Sequence, residues 1–450
     1  MISVSPLPPA GQERGGGPLR VAVTALGCKV NYAEMADLAG RLAGLGCEVV
    51  PDGEPADVRV LNSCAVTLQA DATTRQRLRQ LRRRDPGCHL VLTGCSVDAN
   101  PDRYLVADVD GRPAAPGVDA VFRNAEKSRI AGHVAALAAG WDRRPRAVPP
   151  SEVRSRAFVK VQDGCDHRCT YCVVWQARGA SISIPEDVVA LRVRAAAAAG
   201  HAEVVLTGVD LGSYGRDRGS DLAALVRRLL DDLDGATRIR LSSINANDIP
   251  ERLIALNRDP RLCGHWHIPV QSGSNHMLRA MHRGYRRRQF LHVAEGLRRA
   301  DPDTELTTDV MVGFPGERRE DHEATLGLIE EAGFLGCHVF RYSPRPGTAA
   351  ASLVEQVDEA TARTRAVEVR RAAASSGRRR RQRAVGRVEE VVWERVSEGE
   401  ALGLSGGYHE VVAEPDRSTR IGGLQRVRAT GLEGDRLRGV IVPSAAADCG

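Results

Sequence analysis

"AFVKVQDGCDHRCTYC", residues 157–172, opens on a short apolar run and ends in three cysteines spaced C-x3-C-x2-C. The run reads as a strand closed by the turn residues Asp163 and Gly164, so Cys165, Cys169 and Cys172 leave a strand's carboxyl end. The segments that follow decide the architecture. "AEVVLTG" (202–208), "RIRLSSI" (238–244), "HWHIPVQ" (265–271), "LTTDVMVG" (306–313) and "CHVFRYS" (337–343) are further candidate strands. Helical stretches such as "DVVALRVRAAAAAG" and "SDLAALVRRLLDDL" separate them. Six β/α units of this kind predict a partial (β/α)6 barrel with its site at the strand carboxyl ends, the edge where the cysteines lie.

Three thiolates within eight residues can hold a metal, but a closed tetrahedral zinc centre needs four ligands. His167, inside the triad, is too close in sequence to complete a tetrahedron comfortably, and the chain has no second C-x2-C pair. Cluster-binding cysteines are otherwise supplied in fours. Three of them on a cubic iron–sulfur cluster leave one iron free to chelate a small molecule.

Upstream, "LRVAVTALGC" (19–28), "ADVRVLNSC" (56–64) and "CHLVLTGC" (88–95) each read as a strand running into a cysteine, with helical "YAEMADLAGRLAGL" and "TLQADATTRQRLRQLRR" between them. Loops after parallel strands converge on one sheet edge, which sorts the cysteines. Cys28, Cys64 and Cys95 can meet there, whereas Cys47 and Cys88 precede strands and belong to packing at the opposite edge. Cys263 and Cys337 precede or begin barrel strands and are assigned to packing as well. Downstream of residue 384, "VGRVEEVVWERV", "GYHEVVAEP", "LQRVRATGLEG" and "LRGVIVP" are short alternating strands with Gly turns, as in a small antiparallel β-barrel. The expected organisation is α/β: a flexible tail (1–18), an N-terminal parallel α/β domain (19–132), a helix and Pro/Arg linker (133–150), the barrel (151–383) and the small C-terminal barrel (384–450).

A chain of 450 residues has room for two or three cores. No apolar run reaches the ~20 residues of a membrane-spanning helix, and no signal-peptide core is present, so a cytoplasmic location and no membrane partner are expected. There, eleven cysteines suit thiols or metal ligands better than disulfides. The net charge of +6 is concentrated in arginine runs at 73–85, 284–289 and 375–384, which suit a polyanion or, equally, solvated helix faces. Trp393 lies in an alternating apolar run and is assigned to a core, while Tyr408 is a candidate for stacking on RNA.

The C-x3-C-x2-C loop, with Tyr171 before its third cysteine, resembles the radical S-adenosylmethionine (SAM) enzymes. "LGCKVN" (26–31), "NSCAVT" (62–67), "LTGCSV" (92–97), "VQSGSN" (270–275), "GYRR" (284–287), "TDVMVGFPGE" (308–317) and "FRYSPRPGTAA" (340–350) extend the resemblance to the methylthiotransferases over nearly the whole chain. "LGCKVN" and "TGVDLGSYG" (207–215) are most similar to the branch that acts on threonylcarbamoyladenosine in tRNA. Two departures stand out. Trp175 and Gln176 replace a usual Pro and Tyr, and Asn245 stands where an acid is usual.

The resemblance implies two 4Fe-4S clusters, one on Cys165, Cys169 and Cys172 with SAM on its open iron, the other on Cys28, Cys64 and Cys95. It implies a deoxyadenosyl radical that abstracts hydrogen from ring carbon 2 of the modified adenine, a methylated sulfur delivered from the second cluster, and a C-terminal TRAM-like RNA-binding module. Expected SAM contacts are Tyr171, Gly208, Ser243 and Gln271. Expected partners are a tRNA anticodon loop, an electron donor such as flavodoxin or ferredoxin, and an unidentified sulfur donor. The alternatives are an enzyme of the family acting on isopentenyladenosine or another target, and a non-enzymatic RNA-binding or redox-sensing protein holding zinc or one cluster.

Overall fold

The structure, a computed structural model, describes residues 17–65, 67–105, 117–138, 144, 146, 155–233 and 235–443. Most of the expected tail and of the 133–150 linker lie outside these residues. The chain divides into two compact units. One runs from the amino terminus to residue 153 and takes in 164–167 and 172–180; the other holds 154–163, 168–171 and 181–450. Among the described residues, no helix is long and apolar enough to cross a membrane.

The first unit is a five-stranded parallel sheet. Its strands β1 (Arg20–Ala25), β2 (Glu48–Val49), β3 (Val58–Ser63), β4 (His89–Gly94) and β5 (Ala120–Phe122) lie in the order β2-β1-β3-β4-β5. Every residue of β3 and β4 is buried, as expected of central strands covered on both faces. One face packs α1 (Lys29–Gly44) through Leu38 and Leu42 against Val21, Val58 and Val60; the other packs α2 (Leu68–Arg84) through Leu78 and Leu81 against Leu61, Leu90 and Leu92. Thr67 caps α2 by accepting from Ala70 N at 3.0 Å, with Asp71 in its first turn and three arginines in its last. Three short helices, α3 (Cys95–Ala99), α4 (Pro101–Tyr104) and α5 (Ile130–Leu137), complete the layers, and α6 (Val174–Arg178) belongs to this unit. The two-residue β2 and the three-residue β5 carry too little pattern to be expected from sequence.

The arginine run of α2 is largely occupied. Arg75 pairs with Asp71, Arg77 and Arg84 with Asp52, and Arg82 with Asp119. It braces the unit, and Arg79, Arg83 and Arg84 are its exposed arginines.

The second unit contains six parallel strands in two halves, β10-β9-β6 and β11-β12-β13. These are β6 (Ala157–Lys160), β9 (Glu203–Thr207), β10 (Arg238–Leu241), β11 (His265–His267), β12 (Glu305–Val312) and β13 (Gly336–Arg341), with β7 (Gln162–Asp163) and β8 (Ile182–Ser183) as a small separate pair. A parallel bridge between Ile239 and Leu262 joins the halves. Outside lie α7 (Glu186–Ala198), α8 (Leu222–Asp232), α9 (Glu251–Ala255), α10 (Asn275–Ala280), α11 (Arg287–Ala300) and α12 (Arg319–Ala332). Leu225, Val226 and Leu229 of α8 and Phe290, Val293, Ala294 and Leu297 of α11 recur at three- and four-residue intervals and enter one continuous core with Val204, Leu206, Ile239 and Val310.

A long helix, α13 (Glu359–Ala384), leads into a closed barrel of β14 (Val388–Ser397), β15 (Glu400–Ser405), β16 (Glu410–Ala413), β17 (Leu424–Glu433) and β18 (Arg436–Val442), ordered β14-β15-β16-β18-β17. The sequence led to an antiparallel barrel, but β16 and β18 pair in parallel. Five strands cannot alternate direction around a closed ring, so one parallel pair is unavoidable. Trp393 is fully buried in this barrel's core.

Tyr408 does not present a stacking face of the kind expected for RNA. Its backbone is left-handed, with φ of +71°, and its ring stacks on His265 at 4.1 Å between centroids. It is part of a polar joint between the small barrel and the amino ends of the large barrel's strands. Buried Glu203 accepts from Arg238 Nε at 2.8 Å and Arg240 Nε at 2.6 Å. The same guanidinium groups donate to the carbonyls of Glu390, Leu404, Ser405 and Gly406. Arg380, from the 375–384 run, is buried against Glu305 at 2.8 Å. The small barrel is thereby fixed at the edge opposite the strand carboxyl ends.

Candidate active site

In the first unit the register pairs Ala25 with Asn62 and Ser63 with Gly94, so β1, β3 and β4 finish at one edge. Cys28 immediately precedes α1, Cys64 follows β3 and Cys95 opens α3, which places all three there. Two glycines make this edge possible. Gly27 has φ of +88°, and a Cβ on it would lie 2.4 Å from Cys64 Sγ; Gly94 has φ of +106°, and a Cβ on it would lie 2.4 Å from Ser63 O.

The sulfurs sit among hydrogen-bond donors. Arg178 directs Nε to Cys95 Sγ at 3.3 Å, Nη1 to Glu34 Oε1 at 2.8 Å and Nη2 to Asn31 Oδ1 at 2.6 Å. Asn31 in turn donates to the carbonyls of Leu26 and Ser63, tying the loops after β1 and β3 together. Asn124 donates to Ala177 O at 2.9 Å and points the same amide at Cys95 Sγ, 3.9 Å away. Lys127 reaches Glu34 at 2.5 Å. Burial pushes the Lys127 ammonium below its usual pKa and the Arg178 charge adds to this, while Glu34 opposes both. Three thiols on one edge, with amide and guanidinium donors aimed at sulfur, have the chemistry an iron–sulfur cluster requires. Sequence reading missed Arg178, Asn31, Glu34, Asn124 and Lys127. The one available signal was an arginine six residues beyond Cys172.

The C-x3-C-x2-C loop contributes to both units. In the first, Cys165 N donates to Gly179 O at 3.0 Å and Val174 N points at Cys172 Sγ, 3.4 Å away. Gly164, with φ of +71°, has no room for a Cβ beneath Ala180 O. In the second unit, Thr170 is held through its N and Oγ1 by the carbonyls of Met281 and Ala280. Arg283 directs Nη1 to Cys169 Sγ at 3.4 Å and Nη2 to Pro269 O and Asn245 Oδ1. Asn245, the departure noted in the sequence, is thus the acceptor for the arginine beside Cys169. Burial opposes the Arg283 charge, but Tyr285, Tyr171 and Cys169 outweigh it and hold the guanidinium charged.

Tyr171 packs against the Met277, Met281 and Phe314 cluster. Gly208 follows β9 with its Cα face against Gln162 Oε1, exposed Ser243 follows β10, and Gln271 follows β11. Gln271 has φ of +70°, and its N–H donates to Asp309 O at 2.8 Å, so its backbone is locked into the sheet. Gly208, Ser243 and Gln271 therefore lie at the strand carboxyl ends of the second unit.

Comparison with known proteins agrees with this geometry. Residues 159–329 match the radical SAM superfamily and residues 20–110 match "Uncharacterized protein family UPF0004". Threonylcarbamoyladenosine tRNA methylthiotransferase MtaB of Thermotoga maritima is 37% identical over 426 residues, 92% of this chain and 94% of that protein. The protein of the same name from Chlamydia pneumoniae is 36% identical, covering 93% and 97%. The tRNA-2-methylthio-N(6)-dimethylallyladenosine synthase of Frankia alni is 37% identical over 75% of this chain and 70% of that one. Among solved structures, the radical SAM methyltransferase TsrM of Kitasatospora setae shares the fold with a TM-score of 0.53 at 14% identity, over 74% and 75% of the two chains. Membership of the radical SAM superfamily implies SAM and a 4Fe-4S cluster. With the sulfur-lined edge in one unit, the parallel half-barrels in the other and relatives aligned across more than nine-tenths of its length, the chain belongs to the radical SAM methylthiotransferase family and is an enzyme of that kind.

Proposed function

We propose that this enzyme adds a methylthio group to ring carbon 2 of N6-threonylcarbamoyladenosine next to the anticodon of cytoplasmic tRNA, using two 4Fe-4S clusters. The convergence of Cys28, Cys64 and Cys95 on one sheet edge carries the reading, because a binding protein needs no second open set of thiols there. The choice of nucleoside is supported by the Thermotoga maritima relative, which aligns over 94% of its length, against 70% for the dimethylallyladenosine enzyme of Frankia alni.

Cys165, Cys169 and Cys172 would hold the SAM cluster, and Cys28, Cys64 and Cys95 the second. When bound, these groups supply radical hydrogen abstraction and a sulfur source. The chain's own residues orient and tune them. Arg283 and Val174 N direct donors at Cys169 and Cys172, and Arg178 directs one at Cys95. Hydrogen bonds to cluster sulfurs are one of the protein's levers on reduction potential. Tyr171, Gly208, Ser243 and Gln271 line the SAM side. Arg395, Arg417 and Arg420, exposed on the small barrel, suit the tRNA backbone. An electron donor such as flavodoxin or ferredoxin and a sulfur donor complete the cycle.

The test is mass spectrometry of tRNA nucleosides from cells with and without the gene, paired with iron analysis of the protein. Loss of 2-methylthio-threonylcarbamoyladenosine, with its precursor accumulating, is the expected result. If the isopentenyl analogue disappears instead, the nucleoside assignment fails and the reaction class stands. Wild-type protein should hold about eight irons per chain and Cys95→Ala about four; equal iron in the two would refute the second cluster. Gly27→Ala, which forces a Cβ against Cys64 in a left-handed backbone, should lower iron towards the Cys95→Ala level. Wild-type iron in that variant would show that the edge tolerates displacement of Cys64.

A further inference from the structure

Three side chains inside the second unit form a constellation that the methylthiolation reading does not use. On β12, Leu306, Val310 and Val312 enter the core beneath the helices, so Thr307, Asp309 and Met311 occupy the opposite face of the strand. Parallel pairing sets His267 beside Thr307 and His338 beside Asp309, and partners in register share a face. His267, Asp309 and His338 therefore project together from the inner face of three adjacent strands. One ligand atom from each lies within 4.8 Å of the other two. His267 Nε2 is 3.3 Å from Asp309 Oδ1, and the two imidazole centroids are 5.8 Å apart.

We propose that His267, Asp309 and His338 bind a divalent first-row metal ion. Two imidazoles and one carboxylate are a donor set for zinc, cobalt or iron(II), and three protein ligands leave positions for water or a substrate oxygen. The second observation is the outer partner of His267. Its Nδ1 lies 2.9 Å from Thr307 Oγ1, which is itself 2.8 Å from His265 Nε2. Ligating histidines engage their other ring nitrogen in this way, and the contact sets Nε2 toward Asp309. His338 completes the group from an exposed position, so an ion can reach it, while His267 and Asp309 are largely enclosed, with side chains 11% and 23% exposed. The alternative is a histidine–aspartate hydrogen bond with His338 as a bystander. The proposal stands apart from the choice of nucleoside.

The test uses the full-length protein with its clusters assembled and loosely held metal removed. Zn2+ alone is added by equilibrium dialysis to wild type, His338→Gln and Asp309→Asn, with iron measured alongside to show that the clusters persist. Wild type should retain one more zinc per chain than either variant, with at least tenfold weaker uptake in both variants. Zinc-edge absorption should report nitrogen and oxygen ligands at about 2.0–2.2 Å. Equal uptake by wild type and His338→Gln, no uptake by wild type, or a shell dominated by sulfur at about 2.3 Å would overturn the proposal. His338 is exposed, so its replacement keeps the test valid even if Asp309→Asn fails to fold.

Discussion

Replacing Glu203 by Gln is expected to lower the unfolding free energy of the second unit by about 3–5 kcal/mol, the usual consequence of removing one partner from a buried ion pair. Glu203 is fully buried and is the shared acceptor for Arg238 and Arg240, with Arg156 a third cation at 3.6 Å. The loss should also loosen the small barrel, because those two guanidinium groups reach its carbonyls. Burial alone would raise the Glu203 pKa, but the Arg240 and Arg238 charges and the Arg240 hydrogen bonds overcome it and hold the carboxyl well below its usual range. A depressed folded pKa means that the stabilisation is fully present above the unfolded value of about 4.3 and is lost as pH falls below it. Chemical denaturation should therefore find wild type and Glu203→Gln far apart at pH 7 and converging below about pH 4. Equal stability at pH 7 would remove Glu203 from this role.

Arg178→Ala should produce the second large effect, in the first unit. It strips the donor from Cys95 Sγ, the partner from Asn31 Oδ1 and a cation from Glu34, whose side chain is 8% exposed. A loss of about 3–5 kcal/mol follows if the Glu34 charge persists, with Lys127 limiting the damage. On the two-cluster reading, iron held by Cys28, Cys64 and Cys95 should fall, and the reduction potential of what remains should become more negative as a donor to sulfur is lost. Arg178→Lys keeps the charge but not the forked geometry and should recover stability only in part. Thermal unfolding and iron analysis test this together. A variant with wild-type melting and wild-type iron would sink the assignment.

Local pattern carried much of this molecule. Apolar runs of strand length, alternating with helical periodicity, were enough to expect parallel sheets, because the period of burial is written in adjacent residues. The same alternation placed Cys28, Cys64 and Cys95 at one edge, since a residue following a parallel strand can lie nowhere else. The C-x3-C-x2-C loop was legible for a similar reason: its three ligands are neighbours in the chain. Cys47, Cys88 and Cys263 were assigned to packing from their place before strands, and all three are buried.

What tertiary structure alone decided depends on partners far apart in sequence. Arg178 meets Glu34 across 144 positions, and no local rule selects one arginine of sixty for that contact. The arginine runs read as surface, for a polyanion or for solvent, yet Arg77, Arg82 and Arg380 are committed to Asp52, Asp119 and Glu305. Charge patterning records that a cation is present and not what stands opposite it. Tyr408 is a candidate for stacking on RNA in the sequence, and only packing sets its ring on His265. His267, Asp309 and His338 come together only through the register of three strands, which is settled when the core closes and is visible in none of the strands alone.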